Sequence, residues 1–216
     1  MGKIREYFRY NSFLSSLTCF YREYFQVRRN KFGYIHPTAV FRYPFLAKGI
    51  NNVYLHEDTV ILGNAVILTT LAKFVMKRGS GAAEGLKVVT GNHQSFPGIW
   101  FCKITDAMKD AKMDKDVVVE EDVWIGTNVT LLSGTHIGRG AEIGSGSVCR
   151  GKIPPYAIVV GNPAKIVGYR FTPDQIIEHE KALFPENERL PYDKLVKNYN
   201  KYFENREAVV NFLSLY

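Results

Sequence analysis

The sequence predicts an all-β solenoid, a parallel β-helix built on a six-residue repeat, with a helical arm before it and helices after it. Three observations carry this. From Val119, a step of six lands on Val119, Ile125, Leu131, Ile137, Ile143 and Cys149, all of them apolar. Four residues beyond each stand Val123, Val129, Thr135, Ala141, Ser147 and Ile153, all small or β-branched. Gly126, Gly138 and Gly144 follow three of the leading residues. A strand alternates faces every two residues, so a six-residue unit returns its leading side chain to the same face. A small residue or glycine then lets the chain turn a corner. Three such units close a triangular coil, and residues 119–154 make two coils.

Residues 1–31 precede the repeat. Tyr7, Phe8, Phe13, Leu14, Leu17, Phe20, Tyr21, Tyr24 and Phe25 recur at helical spacing, with Arg5, Arg9, Arg22 and Arg28 among them, which predicts one or two amphipathic helices. Two readings of this arm stand side by side. Its apolar face packs on the main body or a neighbouring subunit, or it lies on an anionic membrane. Residues 32–171 form the solenoid. Weaker echoes of the repeat occur at Ile35–Val40, Leu55–Val60 and Ile61–Val66. Segment 69–118 breaks the period and reads as an inserted loop, containing the glycine-rich run Lys77–Gly85 and a long stretch from Asn92 to Asp116. Interruptions of a regular solenoid are where function concentrates. Residues 172–216 read as a helical cap. Thr172 is a good N-cap, Pro173 suits the first helical position and Asp174 the first turn, and a second helix is expected over about 191–204.

Composition narrows the class. Hydrophobic residues make up 46% and charged residues 23% of 216, ordinary for a globular chain. No apolar run is long enough for a membrane-crossing helix, and the basic start lacks the apolar core of a secretory signal. Cys19, Cys102 and Cys149 lie far apart with no CxxC, which fits a reducing cytoplasm. The net charge is +7. Such a balance suits nucleic acid, an anionic membrane or a phosphorylated small molecule. The arm alone holds seven Lys/Arg against two Asp/Glu.

Five histidines are candidates for chemistry. His36 and His56 follow the leading residue of a six-residue unit and should point outward; His136 within a coil and His179 on a helix face read as structural. His93 differs, sitting in a polar turn inside the interruption. Successive histidines are 20, 37, 43 and 43 residues apart, which is poor spacing for a zinc site, so no metal is expected. No Walker loop or GxGxxG is present.

Four segments carry a resemblance: Asp122-Val123-Trp124-Ile125-Gly126-Thr127-Asn128-Val129; Pro154 through Lys165, ending Gly161-Asn162-Pro163-Ala164-Lys165; Thr90-Gly91-Asn92-His93; and Tyr169-Arg170-Phe171-Thr172-Pro173. Over roughly residues 32–184 the chain resembles the hexapeptide-repeat acyltransferases, in their polysaccharide O-acetyltransferase and xenobiotic acetyltransferase branch. The resemblance implies left-handed winding, against the usual hand of parallel crossovers. It implies acetyl-CoA as acyl donor, His93 as general base, and Thr127, Ser145, Arg150 and Lys165 along the coenzyme A groove. Asn92 and Trp124 are the candidate substrate contacts. Where the family has Thr-Lys-Asp this chain has Arg150-Gly151-Lys152, so either Arg150 or Lys152 is left to meet the phosphates. A homotrimer with sites at subunit interfaces is implied, and no nucleic-acid partner. The expected acceptor is a saccharide hydroxyl in capsule or lipopolysaccharide assembly. The alternatives are a streptogramin- or chloramphenicol-type antibiotic, or a non-catalytic β-helix scaffold. The aromatic, basic arm favours glycan assembly in the cytoplasm, at the inner face of a membrane.

Overall fold

A computed structural model describes residues 12–203. The chain winds through about six turns of a three-sided parallel solenoid. The first coil is β1 (Tyr34–Ile35), β2 (Val40–Phe41) and β3 (Phe45–Lys48). The second is β4 (Val53–Leu55), β5 (Val60–Ile61) and β6 (Ala65–Leu68). The third is β7 (Phe74–Met76), β8 (Gly81–Ala82) and β9 (Lys87–Val89). The fourth is β10 (Val117–Val119), β11 (Trp124–Ile125) and β12 (Thr130–Leu131), and the fifth is β13 (His136–Ile137), β14 (Glu142–Ile143) and β15 (Val148–Cys149). β16 (Lys152–Ile153) and β17 (Ala157–Val160) begin a sixth, and β18 (Lys165–Tyr169) turns back antiparallel on β17. Strands β1, β4, β7, β10, β13 and β16 stack into one face; β2, β5, β8, β11, β14 and β17 into a second; β3, β6, β9, β12 and β15 into a third.

The six-residue period holds because its leading residues are the core. Val119, Ile125, Leu131, Ile137, Ile143 and Cys149 are at most 1% exposed, and the second column from Val123 to Ile153 is at most 8% exposed. Cutting Ile125 to alanine in such packing costs about 2–5 kcal/mol. Polar members of the second column are satisfied at the corners: Thr135 Oγ1 donates to the Leu132 and Cys149 carbonyls, and Ser147 Oγ to the Gly144 carbonyl. Burial pushes the Cys149 thiol up to about 12, so it packs as a small apolar group. From the second coil to the fifth, these corners take a residue with positive φ. Asp58, Gly79, Asp122 and Gly140 supply it between the first and second faces, and Asn64, Gly85, Asn128 and Gly146 between the second and third. Glycine, asparagine and aspartate are the residues that tolerate that region.

The inserted loop is shorter than the expected 69–118. A step of six from Met76 reaches Ala82 and Val88, all fully buried, and β7, β8 and β9 pair with the coils on either side. The glycine-rich run is therefore a corner, a strand and a corner, not part of the inserted loop. Gly81 is needed because the Trp124 ring lies over it; a Cβ there would stand 3.0 Å from the indole. The period was hidden because Ala82 is a weak apolar marker. The true excursion lies between β9 and β10, and β10 re-enters beside β7 with Val117 opposite Phe74.

The two ends differ. At the N-terminal end, α1 (Ser12–Tyr24) has no buried residue. The chain after it closes the first coil: Val27 is 2% exposed, Phe32 packs on Phe41 and Phe45, and Tyr43 Oη donates to the Val27 carbonyl. The expected arm positions Arg5, Tyr7, Phe8 and Arg9 lie outside the described residues. At the other end, α2 (Pro173–Leu183) begins at a capping box between Thr172 and Gln175, and α3 (Tyr192–Phe203) follows. Glu180 of α2 is fully buried yet fully bonded: it accepts from Tyr156 Oη at 2.9 Å, from the Leu190 backbone at 2.5 Å and from Arg139 at 3.3 Å. That carboxylate fastens the helical cap to the solenoid. Residues 204–216 lie outside the described residues.

Candidate active site

The excursion between β9 and β10 is braced at its foot. The Asn92 backbone N–H donates to Asp114 Oδ1 at 2.9 Å, and Asn92 Nδ2 donates to the Met113 carbonyl at 2.9 Å. Lys109 Nζ lies 2.8 Å from the same Asp114 oxygen. Gln94 Oε1 accepts from the Asp110 backbone at 2.9 Å. Lys115 N–H meets the Thr90 carbonyl and Ser133 Oγ. His93 thus sits between two residues that are each tied to the far side of the loop. Its own side chain is exposed, with the ring edge-on to Phe101 at 5.4 Å between centroids. Ile99, Trp100 and Phe101, just beyond, are exposed, Trp100 by 81%. Asn92, expected to touch substrate, spends its amide on the Met113 carbonyl and acts as a brace. Lys109 and Asp114 were not picked out by sequence reasoning.

The candidate coenzyme residues separate into two places. Thr127 and Ser145 stack in successive coils where the second face meets the third: Thr127 N–H donates to Ser145 Oγ at 3.2 Å, and Gly146 N–H to the Thr127 carbonyl at 2.8 Å. Gly126 makes this approach possible, since a Cβ would lie 2.8 Å from the Ser145 nitrogen. The turn 161–164 covers the same corner one level on, with Ala164 N–H donating to the Val148 carbonyl and Gly161 N–H to Ser147 Oγ. It delivers Lys165, exposed, at the start of β18. Thr127, Ser145 and Lys165 therefore run along one edge of the prism. Arg150 does not join them. It follows β15 on the opposite side of the third face, and Lys152 lies on the first face, paired in register with His136. His93 also leaves the solenoid at that opposite edge, between the third and first faces.

Trp124 projects from the second face, 53% exposed, beside a hollow of about 420 Å³ shared with Asp58, Asp122, Glu142 and Arg170. Asp122 is engaged by Arg170 at 2.7 Å and by His179 Nε2 at 3.0 Å. His136 Nε2 lies 2.8 Å from Glu120 Oε1. His136 thus links neighbouring coils of the first face, and His179 ties the helical cap to Asp122. Among the described residues no cluster of His, Cys, Asp and Glu is placed to hold a metal ion.

The fold defines a left-handed β-helix. The family model described as bacterial transferase hexapeptide (six repeats) matches residues 116–151. A Lysinibacillus sphaericus protein assigned as a macrolide acetyltransferase is 33% identical over 119 residues, 55% of this chain and 64% of that one. WbbJ of Escherichia coli, assigned to lipopolysaccharide biosynthesis as an O-acetyl transferase, is 32% identical over 123 residues, 53% of this chain and 60% of that one. The chain thus spans less than two thirds of these relatives. A hexapeptide-repeat acetyltransferase of Vibrio cholerae, solved with acetyl coenzyme A, shares the fold with a TM-score of 0.58 at 21% identity, over 73% of this chain and 88% of that one.

Proposed function

We propose that this chain is an acetyl-CoA-dependent O-acetyltransferase acting on a saccharide hydroxyl, with His93 as general base. One observation carries the reading: His93 stands exposed on a loop braced on both sides of it, at the break in an otherwise regular coil. A thioester is already activated, so the acceptor oxygen attacks the acetyl carbonyl directly. Its proton passes to the imidazole, the C–S bond breaks, and the imidazole returns the proton to the departing thiolate. General-base help of this kind is worth roughly 10²–10⁴ in rate. Lys165, exposed at the end of the Thr127–Ser145 edge, suits a phosphate of the coenzyme. His93 leaves the prism at the other edge of the third face, so a complete site needs the loop of one copy against the edge of another. A closed trimer satisfies that with three equivalent grooves.

A second reading, acetylation of an antibiotic hydroxyl, is supported by the likeness to the macrolide acetyltransferase relative. The test is transfer from acetyl-CoA to a panel of sugars, nucleotide sugars, macrolides, streptogramins and chloramphenicol, with the oligomer mass measured alongside. Transfer to sugars, lost by at least roughly 10²-fold in His93→Asn with the mass of a trimer retained, is the expected result. Transfer to antibiotics alone selects the second reading. Equal rates in wild type and His93→Asn would remove His93 from the chemistry, and no transfer at all would leave a scaffold.

A further inference from the structure

We infer that α1 is a docking surface for anionic phospholipid. Phe13, Leu17, Phe20, Tyr21 and Tyr24 fall at helical spacing on one stripe, and Phe25 follows at its end; their exposures run from 38 to 69%. Ser12, Ser15, Thr18, Cys19 and Arg22 take the opposite side. No residue of the helix is buried: Tyr24, at its end, stacks on Tyr43 of the first coil with 6.2 Å between centroids, while Phe13, Leu17, Phe20 and Tyr21 stay exposed. The rings also cluster among themselves, with Phe20 4.8 Å from Tyr24 and 5.7 Å from Phe25 between centroids. A helix laid this way in water exposes apolar area that something else must cover.

The chemistry of the stripe and its border selects the occupant. Five of the six side chains are aromatic, the type that sits at the level of lipid headgroups. Exposed Arg28 and Lys31 follow just beyond its end, and the helix has a single acid, Glu23. Over residues 1–31 basic side chains outnumber acidic ones seven to two. Against a second copy of itself, this patch would bring cations to face cations. Against an anionic bilayer each cation is attractive, by about 1 kcal/mol per residue near the surface. The adjoining segment, with Val27 and Phe32, plugs the end of the first coil, so the helix stands at one end of the prism. Insertion there leaves the lateral edges, with Thr127, Ser145 and Lys165, clear.

Vesicle flotation of the full chain tests this and needs no acceptor or acetyl donor, so it stands apart from the transferase reading. Binding should be strong to vesicles containing phosphatidylglycerol and weak to pure phosphatidylcholine. It should fall as salt is raised, because screening shortens the reach of the arginines. Phe13→Ser with Phe20→Ser should cut binding roughly tenfold or more, since both side chains are exposed and their loss removes insertion area. Arg28→Glu should cut it further. No binding to the anionic vesicles, or binding unchanged in the double serine variant, overturns the proposal. So does a wild type that ignores vesicles but whose oligomer dissociates in the double serine variant, which would make the stripe an interface between copies.

Discussion

Lys109 Nζ lies 2.8 Å from Asp114 Oδ1, and the two side chains are 6% and 1% exposed. They bridge five residues of the excursion, and the same carboxylate oxygen accepts the backbone N–H of Asn92. Asp114 Oδ2 is buried with no hydrogen-bond partner among the described residues. Almost all the compensation for burying this carboxylate therefore comes through one oxygen, and that oxygen anchors the residue before His93.

Removing the cation should be costly. Lys109→Met leaves a buried carboxylate without its partner, a change of about 3–5 kcal/mol. The loss should be local. Limited proteolysis between residues 92 and 114 should quicken, and acetyl transfer should drop, while the solenoid's β signal by circular dichroism stays. Lys109→Arg, which keeps the charge, should recover part of both. A loop in Lys109→Met as protected as in the wild type would show that the pair does not brace it.

The proposed coenzyme edge predicts an unequal response from two cations. Lys165→Ala should raise KM for acetyl-CoA and leave kcat nearly unchanged, because the phosphates lie far from the reacting carbonyl. Arg150→Ala should have the smaller effect, since Arg150 sits across the third face. Steady-state kinetics with acetyl-CoA varied decides it. A larger KM change for Arg150→Ala would place the phosphates at the opposite edge.

The Glu121–Lys77–Arg139 cluster sets an acid limb for stability. Burial works against the Glu121 charge, but its own backbone hydrogen bond and the Lys77 and Arg139 charges outweigh it, so its pKa is lowered. A depressed carboxylate stabilises the fold above its unfolded pKa of about 4.3, and that contribution is lost as pH falls through the folded value. Lys77 is the converse. Burial disfavours its charge, yet the hydrogen bond to Glu120 and the nearby Glu121 raise its pKa, so its contribution is present below its unfolded value near 10.4 and fades as pH climbs through the folded one. Urea midpoints followed from pH 7 to 3 should fall less steeply in Glu121→Gln than in wild type. Identical acid limbs would remove Glu121 from the account.

The regular coils were legible because one period of six governs both of their inward columns. The third coil was not, since Ala82 leads its middle unit and its glycines look like a loop. The Asn92–Asp116 stretch stood out as irregular, yet the Lys109–Asp114 brace did not, because a pair five apart in a non-helical loop has no sequence signature. The separation of Arg150 was readable from spacing alone. Thr127 and Ser145 are 18 apart, one full coil, whereas Arg150 lies five beyond Ser145, at the next corner. Buried Glu180 gave no sign either: on an amphipathic helix it reads as one more surface acid.

Val117 stands opposite Phe74 as if the chain between β9 and β10 were not there. The ladder keeps no record of how long that detour is, and the entropy of closing a longer one rises only with the logarithm of its length. The solenoid is thus indifferent to what is inserted at this joint. Chain of another size and sequence can be exchanged there without moving a core residue or the Thr127–Ser145 edge. Under the transferase reading proposed above, donor-side and acceptor-side parts would be separately replaceable, and one frame could be refitted for different hydroxyl compounds by changing a single detachable piece.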